Sequence, residues 1–140
     1  MAAALFRARL KKERADWQSW RVDSAGTWAL EGEMAALHSR QIMLQHGLDI
    51  SSHRARTVTA EMLNDYDLIL TMEPGQKEAL QVEFASVAKR VFLLSEMEGS
   101  LTPISDPYGG PPEGYQKTAE KLDQMLANGM QRIFSLVDGK

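Results

Sequence analysis

Two short apolar runs, residues 67–72 (DLILTM) and 90–94 (RVFLL), limit the folds open to this chain. Each is nearly continuous in apolar residues, as in strands buried on both faces. Between them Pro74 suits the first turn of a helix reading to about Val82. A strand, a helix and another strand in that order form a crossover unit, and such a crossover belongs to a parallel sheet. The rest of the chain extends the alternation. Residues 2–14 read as a helix with Leu5, Phe6 and Leu10 on one stripe, and residues 20–25 (WRVDSA) as a strand ending at Gly26. A second helix fits residues 33–46, with Gly47 at its C′ position. Thr59 can cap a short helix through Asn64. Residues 100–114 hold four of the five prolines and read as a long ordered loop. The last helix covers residues 115–137, with Leu122, Leu126, Ile133 and Val137 facing the core and Asn128-Gly129 as a weak point. The expected class is α/β, a parallel sheet flanked by helices on both faces.

The chain has 140 residues, which suits one domain, residues 1–140. It contains no cysteine, so a disulfide scaffold, a thiolate zinc site and a cysteine nucleophile within the chain are all excluded. Only three histidines exist (His38, His46, His53), none spaced for a helical metal pair, and no metal is expected. Net charge is −3, which argues against nucleic acid as a partner. Arg7, Arg9, Lys11, Lys12 and Arg14 crowd the first helix and read as a solvated face. No apolar run is long enough to span a membrane, and the start is not a secretory signal; the cytoplasm is the expected compartment. The first helix lacks an N-cap residue, because Met1 is followed at once by apolar helix formers. It reads as a helix that begins before Met1.

Several segments, in this order and spacing, resemble the low-molecular-weight protein tyrosine phosphatase family: MAAALFRARL at 1–10, WRVDSAGT at 20–27, GLDISSHRAR at 47–56, DLILTM at 67–72, VFLLSE at 91–96 and DPYGG at 106–110. The resemblance covers essentially the whole chain. It implies a flavodoxin-like fold. It also implies that the central first strand, and the phosphate loop of Cys, five residues, Arg and Ser or Thr, are missing from this chain. Family members often read Pro-Met-Ala-Glu-Ala after that loop. Met1 stands at that Met, and Ala3 where Glu is common.

The resemblance assigns roles residue by residue. The chemistry needs a thiolate nucleophile, backbone N–H groups and an Arg around the phosphoryl oxygens, an acid for the leaving phenolate, and a wall for a flat ring. The nucleophile is absent, and Arg7 and Arg9 sit about one to two turns too far into the helix to replace the loop Arg. Asp106 matches the general acid; otherwise an Asp before Pro107 is a common turn starter. Tyr108, Trp28 and Leu30 match the substrate walls, the alternative being ordinary surface packing. Ser24 and His53 match residues that stiffen the phosphate loop, though a structural histidine is the simpler reading of His53 alone. No organic cofactor is implied.

The expected substrate is a phosphotyrosine protein or small aryl phosphate, hydrolysed in the family through a cysteinyl-phosphate. The chain by itself is expected to be inactive. The alternative is a non-catalytic pseudophosphatase that binds phosphotyrosine or another protein. An unrelated nucleotide or flavin module is disfavoured by the absence of any Gly-x-Gly-x-x-Gly or Walker-type loop. Deleting a central strand leaves its neighbours nearly 10 Å apart, about twice the normal spacing. The chain is therefore expected to fold poorly alone, to pair its strands differently, or to form a strand-swapped or other homo-oligomer.

Overall fold

The computed structural model describes residues 1–26 and 30–139. Contacts divide them into two compact units. The first holds Met1–Thr57 and Asp106–Asp123, the second Val58–Ser105 and Gln124–Lys140.

The first unit opens with α1 (Ala2–Glu13), which buries Leu5 and Leu10. Met1 provides no side-chain cap, as expected from its apolar start. A short 3-10 turn at Trp17–Ser19 follows. The Trp20 ring sits 6.3 Å from Phe6, and the Arg14 guanidinium lies 5.3 Å from the Trp20 centroid. The expected strand at residues 20–25 is not formed. A single parallel bridge, Gly26 with Thr57, stands at its end, where the Gly26 N–H donates to the Arg56 carbonyl at 2.9 Å. A strand exists only where a neighbour offers a ladder along its length. Here side-chain contacts hold the segment instead, such as Arg7 donating to the Val22 carbonyl.

Helix α2 (Leu37–Gln45) starts four residues later than expected. Glu33, Met34, Ala35 and Ala36 are acceptable helix formers. Tertiary pairing has taken their backbone: the Ala55 N–H donates to the Glu33 carbonyl at 2.7 Å, and the Gly32 N–H donates to the Ala55 carbonyl at 2.8 Å. The far end behaves as read. Gly47 adopts φ +75°, and the N–H groups of Gly47 and Leu48 return to the carbonyls of Leu44 and Met43 in a Schellman cap. Ile42 and Met43 are buried. The first part of α5 (Pro112–Asp138) adds Tyr115, Ala119 and Leu122 to the buried set of this unit, with the Tyr115 ring 5.3 Å from His38.

In the second unit Thr59 caps α3 (Ala60–Asn64), its hydroxyl accepting from the Met62 N–H at 3.2 Å. Strand β1 (Ile69–Thr71) leads through α4 (Pro74–Glu83) to β2 (Val91–Leu93). The two strands pair in parallel, Leu70 opposite Phe92, as the crossover requires. Both are shorter than the apolar runs that announced them, and the sheet of the described residues has two strands where the sequence suggested three. Pro74 opens α4, and the Gln76 side chain accepts from the N–H groups of Met72 and Glu73. Leu63, Leu80, Val87 and Val91 pack together with Val58, Ile69 and Phe84 against them. Helix α5 continues through Asn128 and Gly129 without a break and buries Leu126, Met130 and Ile133; Val137 is only half-buried. No helix among the described residues is long and apolar enough to cross a membrane.

Candidate active site

The first unit contains a cleft of about 1140 Å³. Its walls come from α1, from residues 17–24 and from residues 48–56. Ser24 and His53, far apart in sequence, both line it. So do the cations Arg7, Lys11, Arg54 and Arg56, with the acids Asp23, Glu33 and Asp49 opposing them. The N-terminus of α1 opens on the same space through Met1, so the helix dipole adds to the positive field there.

The wall that carries Ser24 and His53 is tied together by one guanidinium. Arg56 Nη2 lies 2.8 Å from Asp23 Oδ1, and its Nε donates to the Ser24 carbonyl at 3.4 Å. Glu31 closes the same corner by accepting the Thr57 N–H at 2.5 Å. Arg54 is occupied locally, donating to the carbonyls of Ser51 and His53. Burial pushes His53 below its ordinary pKa. The Met1 ammonium, Arg7 and Arg56 push it the same way, and Asp23 opposes them. Burial, and then Arg7, likewise lower the Met1 amino group. The cleft therefore favours a neutral imidazole at His53.

Asp106 and Tyr108 belong to the same unit but do not line this cleft. Asp106 Oδ1 accepts the Tyr108 N–H at 2.9 Å, which makes an Asx turn. Gly109 follows at φ +79°, and the Gly110 N–H returns to the Pro107 carbonyl. Tyr108 is 80% exposed and Leu30 61% exposed. Leu30 does not line the cleft either, and Trp28 lies outside the described residues. Sequence reasoning missed Asp23, Glu31 and Arg56. Asp23 directly precedes Ser24, and Arg56 follows His53 by three residues. Nothing in the sequence pairs two charges so far apart. No group of three His, Cys, Asp or Glu among the described residues could hold a metal ion.

The family model for low molecular weight phosphotyrosine protein phosphatases matches residues 1–135. The chain belongs to that family. A probable low molecular weight protein-tyrosine-phosphatase, EpsP of Ralstonia solanacearum, is 45% identical over 115 residues, covering 82% of this chain and 78% of that protein. A protein-arginine-phosphatase of Geobacillus stearothermophilus is 28% identical over 127 residues, covering 90% of this chain and 81% of the other. Among solved structures, a low molecular weight protein tyrosine phosphatase from T. tengcongensis superposes with a TM-score of 0.85 at 33% identity, covering 94% of this chain and 88% of that one. The fold is thus the phosphatase fold that the resemblance implied, within the α/β class that the alternating pattern suggested. The 140 residues include no cysteine, the residue whose thiolate carries the cysteinyl-phosphate in the family's chemistry.

Proposed function

We propose that this chain is the body of a protein tyrosine phosphatase and that, by itself, it does not turn over substrate. One observation carries the reading: a family match over residues 1–135 in a chain with no cysteine. The reaction is hydrolysis of a phosphotyrosine protein or small aryl phosphate in a cytoplasmic setting. A thiolate attacks phosphorus, the phenolate leaves with a proton from an acid, and water then releases phosphate from sulfur. Asp106 is the proposed acid. Tyr108, Trp28 and Leu30 flank the substrate ring, and Ser24 and His53 support the loop that carries the nucleophile. A strand-swapped or other homo-oligomer is the proposed assembly, to be read by sedimentation.

The test compares two proteins. The isolated chain should leave p-nitrophenyl phosphate unhydrolysed. The same chain, extended before Met1 by an apolar strand and a Cys-x5-Arg-Ser loop, should hydrolyse it. An inert extended chain, shown to be folded, would sink the reading. Phosphoarginine belongs in the same assay, because a relative at 28% identity is named an arginine phosphatase.

A second reading, a non-catalytic module that binds phosphotyrosine, is favoured by the basic wall of Arg7, Arg54 and Arg56. Calorimetry of the isolated chain with a phosphotyrosine peptide decides it, and absence of heat rejects it.

A further inference from the structure

Segments 20–26 and 53–57 face each other across one corner of the first unit, yet a single bridge, Gly26 with Thr57, is the backbone pairing formed between them among the described residues. Their alignment along the remaining length must come from side chains. Arg56 is placed to supply it. Its guanidinium reaches Asp23 Oδ1 at 2.8 Å and the Ser24 carbonyl at 3.4 Å, while its own carbonyl receives the Gly26 N–H at 2.9 Å. One residue therefore touches three positions on the opposite segment. Arg21 approaches Asp23 only at 3.9 Å, and Arg54 is bonded to carbonyls of its own turn. We propose that Arg56, through its ion pair with Asp23, is the positioning residue that holds the segment bearing Ser24 against the segment bearing His53.

The proposal rests on the reading that Ser24 and His53 support the phosphate loop. The side chains of Arg56 and Asp23 are each 35% exposed. A pair so open to water adds little to stability. Its two-point attachment to a side chain and to a carbonyl adds geometric definition, which a guanidinium provides and an ammonium does not. The consequence is local: loss of Arg56 should move the cleft wall without unfolding the unit.

His53 is the internal reporter. The charged groups that act on it are the Met1 ammonium, Arg7, Arg56 and Asp23. Two variants of the isolated chain, Arg56→Gln and Asp23→Asn, remove opposite ends of one pair. NMR titration of the His53 ring should show its midpoint rising in the first, where Asp23 is left unbalanced, and falling in the second. The Ser24 and Ala25 amide signals should shift in both. Arg56→Lys should return the His53 midpoint toward the parent but not the amide signals. If Arg56→Gln leaves the midpoint and the amides unchanged, the proposal is overturned. Should that variant fail to fold, Asp23→Asn decides alone, and an unmoved midpoint with unmoved amides overturns it equally. These signals require no turnover, so this inference and the phosphatase reading can fail separately.

Discussion

A Cβ added to Gly129 would stand 2.6 Å from the Cβ of Met97, closer than two carbon atoms can pack. Met97 lies in the 3-10 turn Leu94–Glu98, and Asn128, one residue before the glycine, donates to Glu98 at 3.0 Å. The Asn-Gly pair that looked like a flaw in α5 is a place where the helix passes close against that turn.

Gly129→Ala is expected to destabilise the protein. In an open helix the change would gain about 1 kcal/mol. Here the added carbon meets the base of a buried side chain, and overpacking costs about 1–3 kcal/mol. The sign of the shift in a urea denaturation midpoint separates the two; a more stable variant refutes the contact.

Glu96 should be the acid-sensitive group of the second unit. It accepts the Leu93 N–H at 2.6 Å and Lys77 Nζ at 3.0 Å. Burial alone would raise its pKa, but the Leu93 N–H and Lys77 outweigh it and hold the carboxyl below its ordinary value of 4.5. The folded state thus favours the charged form. Its contribution is complete above 4.5 and is lost as the pH falls through the lower folded value. Glu96→Ala should cost about 1–3 kcal/mol near neutrality, since the Leu93 N–H loses its acceptor. The gap to the parent should narrow on acidification, read from denaturation midpoints over a pH series.

His53 should act with a similar dependence for a different reason. Its folded pKa lies below the ordinary value of 6.5, so in the window between the two the unfolded chain binds the proton first. Stability is full above 6.5 and declines as the pH falls toward the folded value. His53→Gln should flatten that decline. An unchanged slope in denaturation midpoints measured across 6.5 would contradict the shift.

Asp106→Asn separates turn from acid. An Asn side-chain oxygen can still accept the Tyr108 N–H that Asp106 Oδ1 now accepts, but it cannot donate a carboxyl proton. In the extended, cysteine-bearing chain the variant should lose about 10²–10⁴ in kcat on a substrate with a poor leaving group. It should lose much less where the leaving group needs no proton. Equal losses on both substrates would assign Asp106 to the turn alone.

Legibility in the sequence followed the range of the interactions. The Schellman cap at Gly47, the Thr59 cap and Pro74 at the start of α4 are set within a few residues, and all three stand where they were read. The apolar runs became the parallel pair β1 and β2, because burial on both faces writes itself into composition. Segment 20–25 misled, since its β-type residues cannot make a strand without a neighbour to pair with. Residues 33–36 misled for the complementary reason: a partner at Ala55 claimed backbone that helix propensity alone would have coiled.

The sequence by itself determined the family, the α/β class and the lack of a thiol nucleophile, since each depends on residue identity and order. Only the tertiary structure decided that Ser24 and His53 share a cleft, that Arg56 and Asp23 pair at 2.8 Å beside them, and that Asp106, not among the residues lining that cleft, closes a turn onto Tyr108. Pairings across tens of residues are selected by packing and charge once the chain is folded, and no local pattern encodes them.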